Sequence, residues 1–217
     1  MTEPELLKKD LFGEIRRQQT DAGTRIIRDT RKASPWLRWL ARLLLRREAR
    51  VLAAINGIDG VPRLLAAERD LLARSYLPGV AMQVGKPRDP DYFKAAAGLL
   101  RKLHRAGVVH NDLAKEPNLL VRNDGTPAFV DFQLARYAPG RGRLFRRLGY
   151  EDLRHLLKHK RTYCPQYLTR RELAILANPS LPSRIWMRTI KPVYLLITRR
   201  LLGWADREGA GDRGVHR

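Results

Sequence analysis

Apolar and polar positions alternate in the first third of the chain and fall into helical stripes later. Asp10-Leu-Phe-Gly-Glu-Ile15 and Thr24-Arg-Ile-Ile-Arg28 flank a turn at Asp21-Ala-Gly23, which predicts two strands. Ser34-Pro35 predicts a helix start, with serine as N-cap and proline at the first helical position. The stretch runs to about Ile55 as one helix or two, and Asn56-Gly57 is a suitable C-cap pair. Residues 69–77 read as a strand ended by Pro78-Gly79. After Asp89-Pro90, the residues Phe93, Ala96, Leu100 and Leu103 form a helical stripe that Gly107 closes. Apolar runs at 119–121 and 128–130 bracket Asn123-Asp124-Gly125, a hairpin signal. Helices are predicted over 150 to about 160, from the capping-box pair Thr169 and Glu172, and over 183–204 with an interruption at Pro192. Strands early and helices late predict an α+β molecule: a first lobe over 1–79, a mostly helical lobe over 80–204 and a loose basic tail over 205–217.

Composition narrows the class. A chain of 217 residues with a hydrophobic fraction of 44% can fill one core, or two small lobes around a cleft. Its single cysteine, Cys164, precludes an internal disulfide framework and suits a reducing compartment. The first ten residues lack the apolar run of a signal peptide, and no uncharged stretch reaches the roughly 20 residues of a membrane span. A cytoplasmic protein is expected, soluble or peripheral on the inner face of the cytoplasmic membrane. Lys plus Arg number 43 against 22 acids, a net charge of +21, which implies anionic partners.

Candidate chemistry is concentrated in His110-Asn-Asp112-Leu-Ala-Lys115-Glu-Pro-Asn118, followed by Val130-Asp131-Phe-Gln133. Asp112 and Asn118 precede the first strand of the predicted hairpin and Asp131 ends its second, so the three can converge at one end. Phosphoryl transfer requires a carboxylate to orient the attacking hydroxyl, hard oxygen ligands for Mg²⁺ and a cation at the moving phosphoryl group. Turn chemistry alone accounts for Asp or Asn beside a hairpin, but not for His, Asp, Lys, Asn and Asp in this order.

These residues resemble the protein-kinase superfamily, whose catalytic loop reads H-R-D-x-x-x-x-N and is followed by D-F-G. More closely, the sequence looks like its compact bacterial branch, which includes lipopolysaccharide-core sugar kinases and RIO-type serine/threonine kinases. The resemblance covers roughly residues 12–159. It implies a small bilobal protein-kinase-like fold, Asp112 as catalytic aspartate, His110 as anchor of the loop, and Asn118 and Asp131 as ligands of Mg²⁺ or Mn²⁺ on bound ATP. Asn118 stands six residues after Asp112, one more than the family usually has, which gives Lys115 a phosphate-contacting role. Gln133 replaces the glycine of D-F-G and suggests a fixed metal-binding segment.

At about 100° per residue, Glu48 falls in the middle of the face formed by Leu37, Leu40, Leu44, Val51, Leu52 and Ile55. A carboxylate placed there requires a cation, unless it is an ordinary helix-pair residue. The family pairs such a glutamate with a strand lysine that holds phosphates. This chain offers Arg28, with Lys32 as the alternative. The substitution keeps a nucleotide-binding pseudokinase open as a reading. Gly13 and Gly23 do not make a glycine-rich loop. Arg74-Ser-Tyr-Leu-Pro-Gly79 resembles the hinge between lobes, where the backbone of Ser75 and Leu77 would meet adenine. Asp152 resembles the aspartate that braces the catalytic loop, or is simply a helix-start acid.

Arg38, Arg42, Arg46 and Arg50 recur every four residues and are bordered by Trp36, Trp39 and Leu43. Arg184, Arg188, Lys191, Arg199 and Arg200 interleave with Trp186, Tyr194 and Trp204. Tryptophan beside arginine suits an anionic membrane surface, and a solvated face over core tryptophans fits equally. No nucleic-acid motif accompanies the charge, so nucleic acid is not the expected partner. The expectation is a monomeric ATP-dependent kinase acting on a hydroxyl acceptor in a glycan or a protein. Shortness and the lack of an A-P-E motif after Asp131 favour a compact acceptor such as a lipopolysaccharide-core sugar.

Overall fold

The structure is a computed structural model that describes residues 4–178. The expectations for 183–204 and for the tail lie outside the described residues. The chain opens with β1 (Glu5–Asp10), β2 (Gly13–Thr20) and β3 (Gly23–Asp29), followed by helix α1 (Arg38–Ala54), β4 (Leu64–Ala67) and β5 (Leu71–Ser75). The five strands form one antiparallel sheet in the order β1-β2-β3-β5-β4. Arg28 lies opposite Leu72 and Ile26 opposite Arg74, so strand alternation puts these four side chains on one face. Helix α1 packs there through Leu45, Glu48, Val51 and Leu52.

Two expectations fail in this half, for local reasons. The strand expected across residues 10–15 breaks at Leu11-Phe12, because the Asp10 carboxylate accepts the Phe12 N–H at 2.8 Å and turns the chain. Gly13 follows at φ +125°, and a Cβ there would meet the Asp29 carbonyl oxygen at 2.1 Å, so only glycine fits. Helix α1 starts at Arg38 rather than at Pro35. The Ser34 N–H is held by the Leu11 carbonyl at 3.1 Å, and residues 35–37 form a separate turn in which the Leu37 N–H donates to the Ser34 carbonyl. At its far end the helix stops at Ile55 and turns through Gly57, at φ +89°, as the Asn-Gly pair predicts.

The second half holds β6 (Val80–Ala81), α2 (Met82–Gly85), α3 (Pro90–Arg105), β7 (Val108–Val109), the hairpin β8 (Leu119–Val121) and β9 (Pro127–Phe129), β10 (Arg136–Tyr137), α4 (Arg143–Tyr163) and α5 (Arg170–Ala177). Asp89 caps α3 with Pro90 at its first position, and the expected capping box of Thr169 and Glu172 opens α5. Helix α4 begins two turns earlier than predicted. One core runs through both halves: Leu45 and Leu52 of α1, Leu72 of β5, Leu100 and Leu103 of α3, Phe129 of β9 and Leu156 of α4 belong to it. Among the described residues, no helix is long and apolar enough to cross a membrane.

Candidate active site

The β8–β9 hairpin and the segments on either side of it build the site. His110 follows β7 and is fully buried, its ring 4.6 Å from that of Phe132. Its Nε2 lies 3.0 Å from the Val130 carbonyl, which can only accept, so the ring carries its proton there. Burial pushes the His110 pKa down, which keeps the ring neutral. His110 thereby ties the loop after β7 to the residue just before Asp131.

Asp152, on α4 and almost wholly buried, braces that loop from below. Its two oxygens accept the backbone N–H groups of His110 at 2.7 Å and Asn111 at 2.8 Å, and His104 Nε2 approaches at 3.4 Å. Asn111 adopts φ +63°, a conformation that asparagine tolerates. The chain then turns so that Asp112 faces Asn118. The Asn118 amide nitrogen donates to the Asp112 carbonyl and to its carboxylate Oδ2, both at 2.9 Å. A 3-10 turn over Glu116–Asn118 absorbs the extra residue of this loop and brings Asn118 back to Asp112. Lys115 Nζ lies 3.2 Å from the same Asp112 oxygen.

Asp131 is carried to the same end of the hairpin, because the Val130 N–H donates to the Asn118 carbonyl at 3.0 Å. Asp131 sits in the left-handed region at φ +61°. Its Oδ1 is buried and has no hydrogen-bond partner among the described residues. A buried bare carboxylate oxygen is costly unless a cation meets it. With the Asn118 nitrogen committed to Asp112, the Asn118 oxygen is left to act as a second hard ligand. Among the described residues no group of three or more His, Cys, Asp or Glu forms a metal cage. Two oxygens beside a phosphate-bearing ligand are instead the sparse protein contribution that suits Mg²⁺. The residues present therefore fit the ion.

On the buried face of α1 stands Glu48, 1% exposed. Its Oε2 accepts from Arg28 Nη1 at 3.1 Å, and its Oε1 lies 3.7 Å from Arg74 Nη1. Lys32 is exposed and does not take this place. Two guanidinium groups on one carboxylate leave a surplus positive charge on the sheet face. The role of Arg74 was missed from sequence, where it was only the first residue of a hinge. The signal was an arginine two positions after Leu72 in an apolar strand. Arg47 was missed too: its Nε donates to the Ala135 carbonyl at 2.6 Å and its Nη2 to the Leu134 carbonyl at 2.9 Å. Helix α1 is thus bolted to the turn that follows Asp131, and only its position beside Glu48 hinted at this. Ser75 gives its N–H to the Arg63 carbonyl and its hydroxyl accepts the Arg63 N–H, both at 2.9 Å, while Leu77 is half-buried.

Sheet, helix α1, hairpin and braced loop together define a protein-kinase-like fold. Among many matching solved structures is the Rio2 kinase from Chaetomium thermophilum, with a TM-score of 0.60 at 16% identity over 78% of this chain. The chain spans 58% of the length of that kinase. No protein-family profile and no curated protein matches the sequence.

Proposed function

We propose that the chain is an ATP- and Mg²⁺-dependent phosphotransferase that moves the γ-phosphate to a hydroxyl, with a nucleotide lobe over 1–79 and a catalytic lobe over 80–204. One pair of observations supports the reading: Asn118 is bonded to Asp112 and, through its carbonyl, to Val130, and the next residue, Asp131, has a buried oxygen with no hydrogen-bond partner among the described residues. Asp112 orients the acceptor hydroxyl and accepts its proton, and Lys115 beside it neutralises charge on the phosphoryl oxygens. Asn118 and Asp131 hold Mg²⁺, which when bound neutralises and aligns the phosphates. Arg28, fixed by Glu48, faces the phosphates from the sheet, and the backbone of Ser75 and Leu77 meets the base.

The acceptor we favour is a compact sugar hydroxyl, such as one of the lipopolysaccharide core. Support comes from the short run between Asp131 and helix α4, which starts at Arg143 and leaves little surface for gripping a folded protein. A RIO-like serine/threonine kinase is the second reading, favoured by the fold shared with the Rio2 kinase. Incubation with γ-labelled ATP and cell-envelope or protein fractions separates the two by where label appears. Label should require Mg²⁺, and Asp112→Asn should lower transfer by about 10²–10⁴-fold while nucleotide binding persists. Undiminished turnover in that variant would remove Asp112 from the chemistry. Metal-independent nucleotide binding without transfer would leave a pseudokinase.

A further inference from the structure

Helix α1 has an outer face that the phosphotransfer reading does not use. Its inner face buries Ala41, Leu45, Glu48, Val51 and Leu52. Opposite, Trp39, Leu43, Arg46 and Arg50 follow one another at helical spacing and are all exposed, Trp39 by 66% and Leu43 by 55%. Trp36, 69% exposed, stands just before the helix. The four-residue arginine stripe read from sequence does not survive as such. Arg42 is turned onto Asp70, with bonds of 2.7 and 3.0 Å, and Arg38 is half-buried. What remains outside is a two-part strip, aromatic and aliphatic at the start of the helix and cationic towards its end. Lys32, also exposed, adds charge on the approach to the helix, whereas the neighbouring Arg31 is paired with Asp29 at 2.7 Å.

We infer that this strip is a docking face for an anionic lipid bilayer. Indole rings partition to the boundary between headgroup and acyl chain, and arginines beside them meet headgroup phosphates. The exposed apolar trio is continued along the helix by the exposed cations Arg46 and Arg50, and the whole chain carries +21, which fits an anionic surface. The attraction of each basic residue to such a surface is modest and screened by salt, so binding is reversible. The inference stands independently of the phosphotransfer reading. The two meet in α1, whose inner face presents Glu48 to Arg28 and whose Arg47 grips the turn after Asp131.

The test uses the full chain and vesicles of phosphatidylcholine with or without phosphatidylglycerol. Wild-type protein should co-sediment with the anionic vesicles at low salt, with partitioning falling at least tenfold on neutral vesicles. Arg46→Glu with Arg50→Glu should weaken anionic binding at least tenfold, and Trp39→Ser with Leu43→Ser comparably. Lys102→Glu with Arg105→Glu, an equal charge change on helix α3, should weaken it less than threefold. All these side chains but that of Leu43 are polar or interfacial and every one is exposed, so melting curves should stay at wild type. The thiol introduced by Trp39→Cys should react quickly with a maleimide in free protein and slowly with anionic vesicles present. Equal losses for the α1 and α3 pairs, or equal binding to both vesicle types, overturn the inference. So does slow labelling without vesicles, which would mean that another part of the chain or a second copy already covers the strip. Loss of binding only in Arg199→Glu with Arg200→Glu would move the contact to the C-terminal segment. Salt-sensitive binding to RNA, lost in the α1 variants, without vesicle binding would assign the strip to nucleic acid. Transfer assays with a soluble acceptor keep this outcome separate from any failure of the phosphotransfer reading.

Discussion

Glu48 holds two guanidinium groups in a nearly closed site, and that arrangement decides how the sheet face carries charge. A lysine in the place of Arg28 would offer a compact point charge. The arginine fork donates one N–H to Glu48 at 3.1 Å and carries further donors in a fixed planar geometry. Removing one member of a buried pair leaves its partner uncompensated, at a cost of roughly 3–5 kcal/mol. Arg28→Met and Glu48→Gln should therefore be non-additive, with a coupling of about 1–3 kcal/mol in a double-mutant cycle read by urea unfolding. Additive losses would mean that Glu48 draws its compensation from Arg74 alone. The Arg28–Glu48 contact was legible because a carboxylate at the centre of an apolar helix face requires a cation. The share taken by Arg74 was not, since sequence periodicity gives the face of a strand but not which of two arginines extends to a given oxygen. The splitting of the arginine stripe was hidden for the same reason: Asp70, which Arg42 holds below the usual carboxylate range, is remote in sequence.

Whole elements were legible where caps and periodicity agreed. Asp89-Pro90 marks the start of α3 and the Thr169–Glu172 pair that of α5, because each satisfies backbone donors locally. Strand β4 and helix α2 were overlooked, being too short for their periodicity to stand out. The first two turns of α4 were concealed by arginines and by Gly149, a weak helix former. That glycine has a tertiary reason: a Cβ would come within 3.2 Å of the His104 ring. The close approach brings α4 against α3 and sets Asp152 under the loop of Asp112. Asp152→Ala would strand the His110 and Asn111 N–H groups, of which the first is deeply buried, at roughly 1–3 kcal/mol each. Denaturant unfolding should show a loss of about 2–5 kcal/mol, and transfer should fall with it as the loop loosens. Asp152→Asn, which keeps one acceptor oxygen, should lose less on both counts. Full transfer activity in Asp152→Ala would show that the loop holds its shape without the brace.

At the scale of the molecule, a single core spanning both halves makes the fold sensitive to any group buried within it, and the histidines give that sensitivity a pH dependence. Burial lowers the pKa of His110, and burial, followed by repulsion from Lys158, pushes that of His155 down to about 4. Each ring takes up a proton near its ordinary value of about 6.5 once the chain unfolds. Below that pH the unfolded state binds protons that the folded state refuses, so stability falls as pH drops. The His155 contribution is complete above about pH 6.5 and is lost on the way down to about pH 4. Burial opposes ionisation of Asp29 and Glu172, but hydrogen bonds and cations together outweigh it, as they do for Asp70, and hold all three pKa values low. Their contribution begins to fade at about pH 5, as carboxylates of the unfolded chain start to take up protons, so the histidines dominate the interval from about pH 6.5 to about 5. One refused proton corresponds to a slope of about 1.4 kcal/mol per pH unit at most. Urea unfolding at closely spaced pH values should show falling stability across that interval. His155→Gln, on α4 and away from the residues assigned to catalysis, should flatten the slope by up to one proton while leaving a remainder from His110. An unchanged slope in His155→Gln would mean that water reaches that ring in the folded state and that other groups carry the dependence.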